Sequence, residues 1–329
     1  MNSLEARFSV AVVVVNYRTP ELVISCLEKM KHTLAKEYVE LVIVDNHSED
    51  ESITMISAWA KQQTFSARIT IIETSFNGGF SYGNNQGIEA VNANYYLLLN
   101  SDAYVVGNCV EILVSKLNDN KNIGIVSPKL TWPDGIAQQS TFNYHHPLSE
   151  IIAQARTGYI TRLLNRYDVP LPLSESERKV EWTSFACVML SRQLIDDIGL
   201  LDSGFFMYFE DVDYCYRANQ AGWIVKHIPD AEAVHLRGGS SEVKKKTIEK
   251  QQLPKFYYQA RSRLFYKCYG YLGLLIANLC WLVGRGVSLI RLVLGNRRMI
   301  GVKKQGRDIW SNFFNPKGPY THPSSETHE

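Results

Sequence analysis

Residues 9–22, SVAVVVVNYRTPEL, place an uninterrupted β-branched run directly before a polar turn and the start of a helix. A run without polar interruption predicts a strand that is covered on both faces of its sheet. Thr19 and Pro20 fit the N-cap and the first position of a helix, which we expect to continue to about residue 32. A strand at residues 9–15, a polar turn and a helix are therefore expected to open the fold.

The same order of strand and helix recurs along the chain. Strands that alternate with helices at this spacing indicate a mostly parallel sheet with right-handed crossovers. Further strands are predicted at residues 39–44, 68–73, 95–99 and 123–126, and helices at residues 51–62, 84–92 and 110–117. After a less regular region with one helix at residues 151–164, we predict a strand at residues 181–191 and helices at residues 192–198 and 211–221.

The composition is typical of a globular protein. The chain has 329 residues, 45% of them hydrophobic and 21% charged, which allows one sizeable α/β domain with an extension or two small domains. Its six cysteines form no CxxC pair, which argues against a zinc site or a secreted disulfide framework and predicts a reduced, cytosolic setting. The short apolar run near the N-terminus lacks a small-residue cleavage site, so we expect no signal peptide.

The charge is distributed unevenly. From Lys244 to the C-terminus the chain carries 16 Lys and Arg against 4 Asp and Glu, a net charge of +12, so the rest of the chain carries −10. An acidic body with a basic tail suggests metal-binding carboxylates joined to a part that meets an anionic surface. An ordinary solvated basic tail is the alternative.

Polar residues follow each of the first four predicted strands. Ligands of open α/β sheets bind beyond the carboxyl ends of the strands, so these residues are candidates for a binding site. A single Asp or Asn at such a position is commonly an Asx turn or an N-cap, but four groups along one edge favour a nucleotide or metal site. The groups are NYR at residues 16–18, DNHS at 45–48, NGGFSYGNN at 77–85 and NSD at 100–102.

The sequence contains neither a P-loop motif nor GxGxxG to grip phosphate through a glycine loop. A diphosphate at this edge would then need a divalent cation such as Mg²⁺ or Mn²⁺, which bridges phosphates using one or two protein carboxylates. Asp102 is the first candidate ligand.

Taken in order, these motifs resemble the donor half of family 2 inverting glycosyltransferases of GT-A fold, in particular the rhamnosyltransferase-like branch. The resemblance covers roughly residues 8–240 and implies a GT-A, Rossmann-like, mostly parallel sheet flanked by helices. Its motifs are VVVVNY at residues 12–17, VDNHS at 44–48, NGGFSYGNN at 77–85, LNSD at 99–102, WTSFAC at 182–187, GLLD at 199–202 and FFMYFEDVD at 205–213, with Arg217, Gly222, Trp223 and His235.

The resemblance implies a donor site and a metal site. Asp45 would contact the pyrimidine base of a nucleotide-sugar donor. Asp102 stands at the last position of the family's Asp-x-Asp metal motif, and His235 would be a further metal ligand; a hydrogen-bonded histidine that closes a strand is the alternative. The remaining donor-site residues are Asn16 and Tyr17 around the nucleoside, and Asn77, Gly78, Asn85, Asn100 and Ser101 around the rest of the donor.

The acidic pair Glu210 and Asp211 is the candidate for catalysis. An acceptor hydroxyl is a poor nucleophile, so a carboxylate within hydrogen-bond reach must take its proton as the new bond forms. The resemblance assigns this role to Asp211, in a single displacement with inversion at the anomeric carbon. The alternative is a charged first turn of a helix, where acids are favoured by the helix dipole. Tyr208 and Trp182 are candidates for acceptor binding, with the protein core as the alternative for Trp182.

The C-terminal part predicts an apolar and basic helical extension. Residues 269–284 are apolar and uncharged, shorter than the roughly 20 residues that a spanning helix needs, and they have basic residues on both sides. This pattern favours helices that lie in the headgroup region of an anionic membrane surface. Packing on the catalytic domain, homodimer formation and a true span are the alternatives.

We therefore expect a GT-A domain at residues 1–240, with its donor half at about 1–130 and its acceptor half at about 131–240. A membrane-associating extension at residues 241–314 and a disordered tail at 315–329 would follow. The expected function is metal-dependent transfer of a sugar to a membrane-linked glycan or polyprenyl-linked acceptor, at the cytoplasmic face of a membrane and without nucleic acid. A nucleotidyltransferase and a nucleotide-sugar-binding scaffold without turnover are the alternatives.

Overall fold

A computed structural model describes residues 9–237, 242–295 and 302–328. The described chain divides into two compact units. The first unit contains residues 9–141, 172–203 and 214–237, and the second contains residues 142–171, 204–213, 242–295 and 302–328.

A nine-stranded mixed sheet organises the first unit in the order β3-β2-β1-β4-β10-β6-β11-β5, with β8 paired to β11. Two further short strands lie outside it. The bounds are β1 Val10–Asn16, β2 Val39–Asp45, β3 Ile69–Glu73, β4 Tyr95–Asn100, β5 Ala103–Val106, β6 Ile123–Thr131, β7 Thr141–Phe142, β8 Arg178–Lys179, β9 Trp182–Thr183, β10 Cys187–Ser191 and β11 Ile224–His235.

The first half of this sheet is parallel, as the sequence predicts. β1 pairs in parallel with β2 and β4, and β2 pairs in parallel with β3. Val10, Val12, Val13, Leu97 and Leu98 have no exposed surface, so both faces of β1 and β4 are covered. Burying each of these side chains stabilises the fold by roughly 1.5–3 kcal/mol, which explains why this apolar run forms the centre of the sheet.

The second half of the sheet is mixed. β10 is antiparallel to both β4 and β6, and β11 is parallel to β6 and antiparallel to β5. The strand predicted at residues 181–191 is wrong in its continuity, because residues 184–186 separate β9 from β10. Here the Ser184 hydroxyl accepts a hydrogen bond from Ala186 N at 3.3 Å, a local turn that interrupts the strand.

Helices cover the strands, and most lie where the periodicity predicts them. Their bounds are α1 Pro20–Lys29, α2 Lys31–Leu34, α3 Ser52–Lys61, α4 Gly79–Ala90, α5 Cys109–Asp119, α6 Ser149–Ala155, α7 Gly158–Leu163, α8 Arg192–Ile198, α9 Glu210–Gln220, α10 Glu242–Ile248, α11 Lys255–Val293 and α12 Gln305–Asp308.

Two helix predictions are wrong in their bounds. α4 begins at Gly79 rather than residue 84, because Asn77 Oδ1 accepts a hydrogen bond from Gly79 N at 3.0 Å and so starts the helix early. The helix predicted at residues 151–164 is two helices. Arg156 adopts a left-handed φ of 46° after α6, and Thr157 then caps α7 by accepting a hydrogen bond from Tyr159 N.

The second unit is built around α11, which is broken at Gly270, where φ is 68°. Its buried apolar cluster includes Phe206, Phe256, Trp281 and Ile309. Tyr320 and His322, in the segment expected to be a disordered tail, pack against the ring of Phe206. In the described part of the chain, α11 is the one helix with the length and composition to cross a membrane, and 44% of its most apolar segment is buried in the protein.

Candidate active site

The carboxyl ends of β1 and β2 bring the first two predicted groups together. Asn16 and Asp45 are direct neighbours in the parallel register, and Asn16 Nδ2 donates to Asp45 Oδ1 at 2.6 Å. Ser48 adds two hydrogen bonds to Asp45, from its backbone N to Oδ2 at 2.9 Å and from its hydroxyl to Oδ1 at 2.6 Å. Asp45 is 1% exposed. Its Oδ2 accepts a single hydrogen bond from the described residues, and a carboxylate oxygen can accept a second.

Asn46 joins this edge to the loop after β3. Its Nδ2 donates to Asn77 Oδ1 and to the carbonyl of Gly79, both at 3.0 Å, while its Oδ1 accepts from Gly78 N at 3.4 Å. Asn46 and Ser48 belong to the DNHS motif at residues 45–48, but the sequence alone predicted no role for either residue. Their position directly after a buried strand was the available signal.

Two aromatic side chains also lie at this edge. Tyr17 directly follows β1 and remains 39% exposed, with the Arg18 guanidinium 5.2 Å from its ring centre. Phe76, three residues after β3, is half-exposed and stacks on Tyr82 at a centroid distance of 4.6 Å. Both rings keep accessible surface.

Asn85 is buried and fully engaged with the protein. Its Nδ2 donates to the Leu201 carbonyl at 2.8 Å and to the Ser203 hydroxyl at 3.2 Å, and its Oδ1 accepts from Leu201 N at 3.0 Å. These bonds attach α4 to the GLLD segment, so the structure gives Asn85 a positioning role. Its contact with the donor stays a prediction.

The structure brings Asp102 and His235 together although 133 positions separate them in the chain. β5 pairs with β11 so that Ala103 faces His235, and Leu236 N donates to the Asp102 carbonyl at 2.9 Å. His235 Nε2 lies 3.2 Å from Asp102 Oδ1, and their side chains are 12% and 8% exposed. His235 Nδ1 makes no hydrogen bond to the described residues.

This pair offers one oxygen and one nitrogen ligand to a cation. The described residues contain no cluster of three or more His, Cys, Asp or Glu side chains that would enclose a metal by itself. A metal held by this pair would need further ligands from substrate and water, as Mg²⁺ does at phosphate sites. Asn100 ends β4 with a half-exposed side chain, and Ser101 follows it in the turn before Asp102.

Two residues near this pair were not predicted. Gln138 Nε2 donates to the His235 carbonyl at 2.6 Å and to the Thr131 carbonyl at 2.8 Å, which fixes the end of β11. Arg237 donates to the Gln139 carbonyl at 3.0 Å and lies over the Trp132 ring. Burial lowers the pKa of the Arg237 guanidinium, and the charge of Asp102 opposes this shift. No sequence motif marked either residue.

Trp182 lies in β9 and is 8% exposed. Such burial favours the core position that the sequence left open for it, and its contact with an acceptor stays a prediction.

The predicted acidic pair begins α9 in the second unit. Tyr208 and Phe209, which precede it, both adopt positive φ, of 74° and 68°. Non-glycine residues in this region cost on the order of 1–3 kcal/mol each and persist only where the surroundings hold them. Asp211 is half-buried and its Oδ1 accepts from Val212 N at 2.9 Å.

Glu210 differs from Asp211 in its burial. It is 7% exposed, and its Oε2 has no hydrogen-bond partner among the described residues. Burial first, and then the charges of Asp211 and Asp213, raise the pKa of Glu210 well above its usual value. Glu210 therefore keeps its proton to a higher pH than an exposed glutamate, and the pair carries less negative charge than two ionised acids.

Side chains of α11 hold the segment that carries this pair. Lys267 Nζ lies 2.6 Å from Asp213 Oδ1, and the Arg263 guanidinium packs so closely on Gly204 that a Cβ there would lie 2.2 Å from it. Tyr257 contacts both Tyr208 and Phe209 at centroid distances of 5.6 and 5.5 Å. The left-handed turn is thus held by packing from the C-terminal helix.

His145 also contacts this segment, and sequence reasoning missed it. Its ring meets Phe209 edge-on at a centroid distance of 5.5 Å. Burial, together with the charge of Arg261, lowers the pKa of His145 to about 4, so this imidazole is neutral at physiological pH.

A sheet whose parallel half ends in clustered Asn and Asp side chains, with an Asp–His pair after β4, has the arrangement in which α/β proteins bind ligands at the carboxyl edge. The sequence model described as "Glycosyl transferase family 2" matches residues 9–217, so the chain belongs to this family and is a glycosyltransferase. The predicted family, fold class and enzyme class are confirmed.

Two relatives of named activity are similar to parts of this chain. The chain is 26% identical over 230 residues to the low-salt glycan biosynthesis hexosyltransferase Agl10 of Haloferax volcanii, covering 68% of this chain and 66% of that protein. It is 39% identical over 69 residues to an N-acetylglucosaminyl-diphospho-decaprenol L-rhamnosyltransferase of Mycobacterium tuberculosis, covering 21% and 22%. The matches thus span less than two thirds of the length of these relatives.

Among solved structures, the fold is similar to that of the mannosyltransferase PcManGT from Pyrobaculum calidifontis, determined with GDP-Man and Mn²⁺. The TM-score is 0.57 at 15% identity, covering 88% of this chain and 76% of that one. This similarity supports a GT-A-like fold.

Proposed function

We propose that the protein is an inverting glycosyltransferase that moves a sugar from a nucleotide-diphosphate donor to a hydroxyl of a membrane-linked glycan. L-rhamnose from dTDP-rhamnose is our first choice of donor, and a hexose from a UDP-sugar is the second. The observation that carries the proposal is the Asp102–His235 pair, which lies at the carboxyl edge of the sheet that also holds Asp45. The names of the rhamnosyltransferase and hexosyltransferase relatives support the two choices of sugar.

The donor nucleoside would bind at the ends of β1 and β2. Asp45 Oδ2 can accept one more hydrogen bond, which suits the ring N–H of a pyrimidine. Asn16 and Ser48 orient this carboxylate through their hydrogen bonds to it, and Tyr17 offers a half-exposed ring to the base. The loop of Asn77 and Gly78 would line the rest of the donor pocket, with Asn85 anchoring it and Asn100 and Ser101 beside the phosphates.

Asp102 and His235 would hold a divalent cation, Mg²⁺ or Mn²⁺. Such an ion supplies positive charge to the diphosphate as it leaves. The presence of Mn²⁺ in the similar mannosyltransferase structure supports this assignment. Arg237, beside Asp102, adds a fixed positive charge from the protein for the same diphosphate.

Asp211 would act as the base. Its carboxylate takes the proton of the acceptor hydroxyl as the oxygen bonds to the anomeric carbon, and the bond from that carbon to the diphosphate oxygen breaks on the opposite side. The nucleoside diphosphate leaves with the bonding electrons, and the configuration inverts. Because its pKa is raised, Glu210 carries less negative charge beside Asp211 than an exposed glutamate would, which limits repulsion within the pair. Tyr208 and Trp182 are the candidates for contact with the acceptor.

The proposed acceptor and the enzyme would both be located at a membrane. A helix apolar enough to bind a membrane supports an acceptor carried by a membrane lipid, at the cytoplasmic face, reached by a peripheral or monotopic enzyme. Residues 1–240 would supply the catalytic domain and residues 241–314 the attachment.

A donor panel tests this function. The purified protein is incubated with UDP-, GDP- and dTDP-sugars, Mn²⁺ or Mg²⁺ and membrane lipid extract, and the released nucleoside diphosphate is measured. We expect release from one donor, dependence on metal, and loss of release in Asp102→Ala and Asp211→Asn. Asp230→Asn, an exposed acid on β11, is the matched control and should behave as wild type.

Two outcomes would overturn the proposal. Release of sugar 1-phosphate, with the nucleoside monophosphate transferred to the product, would identify a nucleotidyltransferase. Nucleotide binding without any turnover, unchanged in Asp211→Asn, would identify a scaffold.

A further inference from the structure

The second half of α11 carries a continuous exposed apolar face. We define the apolar face as Leu272, Ile276, Leu279, Val283, Ile290 and Val293, each between 40% and 86% exposed. Their spacing of three and four residues follows the helical repeat, with Gly286 filling the remaining position, so they form one stripe along the helix. Soluble monomers rarely leave such a long apolar stripe uncovered.

Other elements of the second unit expose apolar side chains near both ends of this part of α11. Arg291 NH1 donates to the carbonyls of Ala155 and Arg156, which brings the start of α7 beside the end of α11. α7 then exposes Tyr159 and Leu163, at 81% and 75%. At the other end, the Tyr271 hydroxyl donates to the carbonyl of Phe314, whose own ring is 91% exposed.

Basic residues outnumber acidic ones in the sequence around α11. Between residues 255 and 304 the sequence has ten Lys and Arg and no Asp or Glu. On the α7 side, Arg156 and Arg162 are exposed next to Tyr159 and Leu163. An apolar stripe with cationic borders matches the headgroup and acyl boundary of an anionic leaflet. A second copy of the same face would bring like charges together, which opposes association.

The opposite side of α11 is packed on protein and is partly polar. Gly284 lies so close to α6 that a Cβ there would be 2.7 Å from the Ile151 carbonyl oxygen. Asn278 Oδ1 accepts from Arg261 NH1 at 2.7 Å, and Arg261 NH2 lies 3.1 Å from Glu150 Oε2. A spanning orientation would carry this charged network into hydrocarbon, which is unfavourable.

We infer that the apolar face, with Tyr159, Leu163 and Phe314, is a monotopic docking surface for an anionic lipid bilayer. The second half of α11 lies parallel to the membrane plane in one leaflet, and Arg156 and Arg162 contact the lipid headgroups. The inference rests on the membrane attachment in the proposed function and names its surface, and its test reads lipid binding without sugar transfer.

Vesicle co-sedimentation tests the surface. The full chain is mixed with vesicles of phosphatidylcholine alone or with phosphatidylglycerol. We expect binding that requires the anionic lipid and weakens as salt rises. The variant Val283→Glu with Ile290→Glu should lower partitioning on the order of tenfold or more, because each acid must enter the apolar boundary next to anionic lipid. Ile136→Glu, an equally exposed apolar position in a loop of the first unit, is the matched control and should bind as wild type.

Depth measurements test the orientation. Tryptophan is introduced singly at Leu272, Val283 and Val293, and its quenching by lipids brominated at different depths is compared with that of wild type. Equal, shallow depths at the three positions are expected for a helix in the membrane plane. Depths that pass through the bilayer centre from Leu272 to Val293 would overturn the inference in favour of a span.

Three further outcomes would also overturn it: equal binding to neutral vesicles, binding unaffected by the two glutamates, or a lipid-free dimer that these glutamates dissociate. Thermal melting of each variant shows whether it is folded. Failure of vesicle binding with intact nucleoside diphosphate release would reject the surface and keep the proposed transferase.

Discussion

Asp102 and His235 illustrate how much one residue contact decides in this protein. Each side chain alone has an ordinary structural explanation, an Asx turn for the aspartate and the end of a strand for the histidine. Their approach to 3.2 Å in a buried setting makes them candidates for a shared two-ligand site. Removal of either member should therefore affect a function that they share.

We predict that Asp102→Asn and His235→Gln each lower the rate of nucleoside diphosphate release by on the order of a hundredfold or more. The double variant should lose little beyond the worse single variant, because residues that act as a unit are not additive. The readout besides activity is Mn²⁺ binding in the presence of nucleoside diphosphate, followed by electron paramagnetic resonance. Additive losses with unchanged Mn²⁺ binding would contradict a shared metal site.

The close packing of α4 on the sheet explains why this glycine-rich segment forms a helix. Gly87 lies against β1 so closely that an added Cβ would be 2.3 Å from Val13 Cγ1. The glycines at this position and at Gly83 let the helix approach the sheet, which in turn places the Asn77–Gly78 loop at the carboxyl edge. A sequence pattern that looks weakly helical is thus stabilised by packing.

We predict that Gly87→Ala destabilises the protein by about 1–3 kcal/mol, because Val13 is β-branched and buried and cannot yield without strain. Gly286→Ala, in the interior of α11, is the matched control, since nothing lies within 4 Å of its added Cβ. The control should be neutral or gain up to about 1 kcal/mol from helix propensity. Urea unfolding of both variants measures the difference, and equal midpoints would contradict close packing at Gly87.

A second element, the first half of α11, supports the acidic pair. Removing Lys267 alone would leave Asp213 charged and buried, so the informative variant is Lys267→Met with Asp213→Asn. We predict that this double variant folds but turns over at least about tenfold more slowly with unchanged donor KM, because the left-handed turn before Glu210 loses its anchor. Lys267→Arg should retain most activity. A changed donor KM with an unchanged kcat would argue against a positioning role.

At the scale of the whole molecule, buried histidines link stability to pH. His227 on β11 is 4% exposed, and burial, with the charge of Arg178, lowers its pKa from 6.5 to about 4. As the pH falls, His227 therefore binds its proton at a higher pH in the unfolded chain than in the folded chain. The contribution of this histidine to the free energy of unfolding is complete above pH 6.5. It is lost as the pH falls towards 4, and it amounts to on the order of 3 kcal/mol.

We predict that His227→Gln flattens the pH dependence of unfolding between pH 6.5 and 4. The measurement is the denaturation midpoint at several pH values in this window. His32→Gln, an exposed histidine of α2, is the control and should leave the slope as in wild type. A slope that persists in His227→Gln would assign the acid sensitivity to other groups, of which His145 is the first to test.

The sequence by itself determined the parallel half of the sheet and the candidate donor residues. Uninterrupted β-branched runs such as residues 10–15 favour strands buried on both faces, and parallel strands carry their carboxyl ends to one edge. Asn16, Asp45, Asn77 and Asp102 were therefore found from local patterns. The charge asymmetry of the tail was equally a property of composition.

Only the tertiary structure decided the contacts between distant segments. β5 is four residues long, and its pairing with β11 brings His235 beside Asp102; no local pattern encodes that register. The same holds for Arg237, for Gln138, and for the anchoring of Asp213 by Lys267, because long-range packing chooses among many partners of similar local propensity. The apolar face of α11 was likewise defined only when packing on α6 showed which side of the helix stays exposed.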